Sequence, residues 1–198
     1  MKIEQRFCSV GIRSADDAPG SIVGLASVYY RDGDKGTEYS PYPGVAERVA
    51  PGAYDAILED RSHEVVALVN HDPNLVIGRR SAGTLQLFGT SEGLAYKISP
   101  PDTTVTADLR ANLEAGNITG SSIGFLPASD GLEYSREGDV QVRTITKVGF
   151  LRDVGPVTIP AFGATEAMQR SLETAFEEHE HAQRRTVYFS MAERILRN

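Results

Sequence analysis

The sequence holds a single cysteine, Cys8, among 198 residues. That excludes an internal disulfide framework and a multi-cysteine zinc site, and it suits a reducing cytoplasm. Cys8 reads as a small strand residue. Long apolar runs are missing too: none approaches the roughly 18–20 residues needed to cross a bilayer. Met1-Lys2 leads directly into Glu4, Gln5 and Arg6 rather than into a secretory leader. No membrane partner is expected. Positive charge is the minority sign, with 20 Lys and Arg against 27 Asp and Glu and a net charge of −7, so no nucleic-acid partner is expected either. Histidine is scarce at four residues. His179 and His181 stand two apart and diverge on a helix, and His63 lies in a charged loop and reads as solvated. No metal and no cofactor are expected.

What is present is ordinary globular composition, 40% hydrophobic and 24% charged, in a chain of single-domain length. Strands are expected over Phe7–Ile12 and Ile22–Tyr30, with a polar loop from Arg31 to Gly44. Within that loop Asp32-Gly33-Asp34 lacks the remaining ligands of a calcium loop and reads as a turn. A short helix follows Pro51, and a hairpin joins residues 84–88 to 94–98. A helix spans 103–115, capped by Asp102 or Thr103 and ended by Gly116. A second hairpin covers about 132–146, and Phe150–Val154 is a further strand. Residues 164–198 read as helical, with acidic residues before His181 and arginines after it. This order favours an α+β fold on an antiparallel or mixed sheet, closed into a small barrel surrounded by helices.

Gly120-Ser121-Ser122-Ile123-Gly124 is a literal Gly-x-Ser-x-Gly. The esterase elbow needs a strand before the serine and a helix after it. Here a helix precedes and a strand follows, so the esterase reading fails. On that strand Ser121, Ile123 and Phe125 share one face, marked as core by its bulk, while Ser122 shares the other with Gly124. Ser122 is therefore the candidate nucleophile. The competing reading is that both serines satisfy local backbone groups.

A hydroxyl needs a base, and His71 closes the apolar run Val65–Val69 just before the turn Asp72-Pro73-Asn74. A base of this kind needs a partner to fix its tautomer. Asp153 interrupts an apolar series, and a buried carboxylate requires a partner. Strand alternation points Arg152 to the opposite face, so another partner is needed, and His71 would serve. The alternative is that Asp153 accepts backbone N–H bonds near Gly155-Pro156.

Four ordered blocks resemble the prohead maturation proteases of tailed bacteriophages. They are Glu47-Arg48-Val49-Ala50-Pro51-Gly52-Ala53-Tyr54; Asn70-His71-Asp72 with Val76-Ile77-Gly78-Arg79; Gly116–Gly120 leading into Ser122-Ile123-Gly124-Phe125; and Asp153–Ala161. Gly155 departs from the serine more common in that family. The resemblance implies His71 as general base, Ser122 as nucleophile and Asp153 as the residue orienting His71. It also implies a barrel similar to that of the herpesvirus assemblins. The division into a protease domain over 1–163 and a docking or self-processed tail over 164–198 rests on the segregated charge of the last residues, for which two solvated helices are the alternative. The implied substrates are the phage scaffold, the scaffolding segment of the major capsid protein and the protease itself, inside the prohead in the host cytoplasm. Oligomeric state is left open, a homo-oligomer included. A non-catalytic assembly module on the same fold is the competing function.

Overall fold

The computed structural model describes residues 3–8, 12–14 and 20–158; the expected helices of 164–198 lie outside them. In chain order the strands begin with β1 (Glu4–Cys8), β2 (Arg13–Ser14), β3 (Ile22–Val28), β4 (Tyr39–Tyr42) and β5 (Val45–Val49). Helix α1 (Asp55–Glu59) precedes β6 (Val66–Leu68), β7 (Val76–Arg79), β8 (Leu85–Gly89) and β9 (Gly93–Ile98). Helix α2 (Thr104–Glu114) leads to β10 (Gly120–Pro127), β11 (Leu132–Glu137), β12 (Val140–Ile145) and β13 (Val148–Val157).

The α+β character stands, but among the described residues the strands do not close into a barrel. They form three sheets, ordered β1-β10-β13-β6-β7, β11-β12-β5-β4 and β2-β3-β9-β8. The reason lies in β3. All seven of its residues are buried, so both of its faces are covered. A run of Ile, Val, Gly, Leu, Ala, Ser and Val, with no alternation of polar residues, suits a strand sandwiched between layers rather than one lining a barrel wall. Among the described residues the α-helices are short, with five residues in α1 and eleven in α2.

The core gathers Ile22, Leu94, Tyr96 and Ile98 from the β3 sheet with Ile123, Phe125, Leu151 and Val154 from the β10 sheet. Burying each such side chain contributes about 1.5–3 kcal/mol relative to exposure. Helix α2 starts where Thr103 Oγ1 accepts from the Thr106 N–H at 3.3 Å, and its buried Thr106 and Leu109 face inward. Tyr54, in the Pro-Gly-Ala-Tyr stretch, is buried with its hydroxyl 2.8 Å from Ser27 Oγ, which anchors the turn before α1 to β3.

The centre of the first sheet is crowded on both sides. β13 pairs antiparallel with β10 on one edge and parallel with β6 on the other. β1 occupies the remaining edge of β10.

Candidate active site

The position of Ser122 follows from β10. Ser121, Ile123 and Phe125 point into the core, and Ser121 Oγ lies 2.6 Å from the Tyr96 hydroxyl. Ser122 and Gly124 face the other way, opposite Gly155 and Asp153 of β13. Residues directly opposite in an antiparallel pair share a face. Hydroxyl and carboxylate therefore stand diagonally across one ladder on the same surface. A Cβ on residue 124 would fall 2.6 Å from Asp153 Oδ2, so the small residue there is what leaves space for the carboxylate.

His71 arrives from the turn beyond β6. Asn70 and His71 both adopt left-handed backbone, at φ 53° and 59°, which is uncommon outside glycine and persists only where neighbours over-determine it. Those neighbours are on β13 and just past it. The Asn70 N–H donates to the Pro156 carbonyl at 2.9 Å, and Asn70 Oδ1 accepts from the Thr158 N–H at 2.9 Å. Gly155 makes the approach feasible. Its φ is 154°, and a Cβ there would fall 2.0 Å from the Leu68 carbonyl oxygen. The glycine at 155 is thus fixed by the backbone of this chain.

The structure brings the three sequence candidates together. His71 Nε2 lies 2.5 Å from Ser122 Oγ, and Nδ1 is hydrogen-bonded to Asp153 Oδ1. Ser122 and Asp153 are wholly buried, and the imidazole side chain is 9% exposed. Burial pushes the Asp153 pKa up, but the hydrogen bonds from His71 and Arg152 outweigh it and hold the carboxyl below its ordinary value. An ionised carboxylate accepting from Nδ1–H leaves the Nε2 lone pair facing the hydroxyl. Such an array can take a proton from Ser122 and stabilise the resulting imidazolium.

Arg152 corrects an expectation. Its Nε donates to Asp153 Oδ2, so the guanidinium shares the face of the carboxylate. The ladder slips between Gly124, opposite Asp153, and Phe125, opposite Leu151, which leaves Arg152 as the extra residue of a bulge. A bulge breaks the alternation on which the opposite-face assignment rests. His63 is also not simply solvated. Its Nε2 lies 3.2 Å from the Leu151 nitrogen and 3.0 Å from the Leu151 oxygen, and its ring meets Phe150 edge-on.

A second polar cluster adjoins the site, and the sequence gives no sign of it. The Arg6 guanidinium bonds both oxygens of Glu47, with the Nη2–Oε2 contact at 2.6 Å. Arg143 reaches Glu47 Oε2 at 2.7 Å and both oxygens of Glu4 at 2.8 and 2.9 Å. Glu47 is the acid that opens the first of the four sequence blocks, but its partners lie 41 and 96 residues away and no local pattern marks them. The backbone of Arg6 touches the candidate nucleophile itself: Ser122 Oγ donates to the Arg6 carbonyl oxygen at 2.9 Å.

Among the described residues no helix is long and apolar enough to cross a membrane. A family model described as caudovirus prohead serine protease matches residues 9–181. No curated protein and no solved structure matches the chain.

Proposed function

Because the chain belongs to the caudovirus prohead serine protease family, we propose that it cleaves peptide bonds during capsid maturation with Ser122 as nucleophile, His71 as general base and Asp153 orienting the imidazole. The observation that carries this assignment is the imidazole held between hydroxyl and carboxylate, 2.5 Å from Ser122 Oγ on its Nε2 side. Ser122 Oγ attacks the carbonyl carbon of the scissile peptide while its proton passes to His71 Nε2. The tetrahedral intermediate collapses with cleavage of the C–N bond, and the imidazolium returns the proton to the leaving amine. Water then repeats the sequence on the acyl-enzyme, giving up its proton to His71 and releasing a carboxylic acid. An oxyanion hole of backbone N–H groups completes the scheme.

The substrates in this reading are the scaffold, the scaffolding segment of the major capsid protein, and the protease itself, all met inside the prohead. Kinship with the herpesvirus assemblins belongs to the same reading, supported by the mostly β architecture. Residues 164–198, outside the described residues, would serve as the docking or self-processed tail, and the intact mass of protein from mature particles tests this. An unshortened chain there refutes removal of the tail.

Replacing Ser122 by alanine tests the assignment. The Ser122→Ala protein should fold and fail to cleave scaffold, whereas Ser121→Ala should retain cleavage. Full activity of Ser122→Ala would refute the nucleophile. Labelling with a fluorophosphonate separates the enzyme from an assembly module: an adduct on Ser122 in assembled particles supports catalysis, and none supports the module.

A further inference from the structure

We infer that β1 is an internal cover strand, which occupies the edge of β10 where an extended substrate must pair and which has to leave before Ser122 can react. The inference rests on the protease reading of Ser122 and concerns the regulation of that site.

Three observations carry it. The first is burial: the Ser122 side chain is wholly inaccessible, although a nucleophile must meet a polypeptide. The second is topology. One edge of β10 is taken by β13, which supplies the carboxylate, and the other by β1, with Phe7 directly opposite Ser122. A peptide that pairs directly with β10 as an antiparallel strand can gain access only from the β1 side. The third is the hydroxyl proton. Ser122 Oγ donates to the Arg6 carbonyl at 2.9 Å while lying 2.5 Å from His71 Nε2. A hydroxyl has one proton to give. With β1 in place the backbone of Arg6 competes with the base for it, and the Arg6–Phe7 peptide fills the volume a scissile carbonyl would need, about 3–3.5 Å from the attacking atom.

The strand is held shut by charge. Arg6 is bonded to Glu47 and, at 2.8 Å, to Glu4, and Arg143 ties Glu4 to the same buried Glu47. If only molecules with β1 displaced react, the observed rate scales with the fraction in that state. Weakening the clamp then raises the rate without touching any group that moves a proton.

The experiment compares three proteins: the full chain, the full chain carrying Arg6→Ala, and a chain lacking residues 1–8. Each is treated with a fluorophosphonate, the adduct on Ser122 is timed by intact mass, and folding is checked by circular dichroism and thermal melting. The expected result is labelling at least about tenfold faster in both altered proteins, the signature of a larger open fraction. Equal rates in folded proteins would overturn the cover while leaving the protease reading in place. Labelling of none of the three would overturn both. Hydrogen exchange on the full chain adds a readout independent of the variants, which serves if the shortened chain fails to fold. An adduct on Oγ cannot coexist with the Arg6 carbonyl at its present distance, so amides of Glu4–Cys8 should lose protection when Ser122 is modified. Unchanged protection in the fully labelled protein would overturn the proposal.

Discussion

Two buried carboxylates, Glu47 and Asp153, differ in what is attached to them. Glu47, 3% exposed, accepts from the guanidinium groups of Arg6 and Arg143. Asp153, 0% exposed, accepts from one guanidinium and one imidazole. Guanidinium keeps its proton at any pH a protein meets, so these bonds at Glu47 are permanent in charge and can only fasten. Imidazole has a second ring nitrogen that can accept a proton, so the bond at Asp153 can act on whatever lies beyond the ring. What lies there is the Ser122 hydroxyl. A buried acid alone therefore does not mark a reactive centre; the identity of its donor does.

The comparison breaks most sharply at the imidazole. His71→Ala and Asp153→Asn should each lower turnover of a scaffold peptide by about 10⁴-fold. Rates within tenfold of the parent would remove both assignments. Glu47→Gln should act on stability instead. It leaves two guanidinium groups facing a neutral amide, but both keep Glu4, so the cost should be about 1–3 kcal/mol. Urea denaturation should show the lowered midpoint, while fluorophosphonate labelling of Ser122 in the folded fraction should not slow. An unchanged midpoint would mean that the clamp contributes nothing.

Arg152→Ala sharpens the contrast on a smaller scale. The guanidinium is 39% exposed, so solvent screening limits its stabilising effect to about 1 kcal/mol or less. Asp153 should then titrate at higher pH, with His71 still bonded. A shift of its carboxyl resonance in the ¹³C spectrum would report this, and an unmoved resonance would deny Arg152 any hold on the carboxylate. The smallest effect at neutral pH comes from proton linkage. The Asp153 carboxyl is held low in the folded state despite burial, and Glu4 is held low by its hydrogen bond to Arg143. The unfolded chain therefore binds more protons between the folded and unfolded values, and stability rises with pH there. It should be fully present above the ordinary carboxylate range near about 4 and be lost as pH falls through the folded values. Thermal melts from pH 7 down to pH 2 should show this loss, and Asp153→Asn should flatten it.

Legibility in the sequence follows local regularity. The hairpin β8–β9 has turn residues between apolar runs, and α2 has its Thr103 cap, so both are visible in the chain. The face assignment of Ser121 and Ser122 needs only the period of an extended chain, and it holds. β4 and β5 escape such a reading because Pro41, Glu47 and Arg48 spoil any strand pattern. Arg48 is nonetheless accommodated by bonds to Glu38 and Glu137, the latter 89 residues distant. Arg152 defeats the alternation rule because a bulge is a property of two paired strands and not of one. The consecutive left-handed residues Asn70 and His71 depend on contacts with Pro156 and Thr158, which no window around residue 71 contains. The expectation of a closed barrel rests on strand order and number, which carry no information about which edges meet.

The parallel pairing of β6 with β13 has a consequence for synthesis on the ribosome. His71 is 51 residues from Ser122 and 82 from Asp153, with β13 the last strand among the described residues. A nascent chain that has emerged only through β10 carries serine and histidine but neither the acid nor the strand against which the histidine turn is braced. Such distant contacts form late, after the cost of closing long loops has been met. If Ser122, His71 and Asp153 act as proposed, translation order alone would keep a growing polypeptide inactive until β13 has been made.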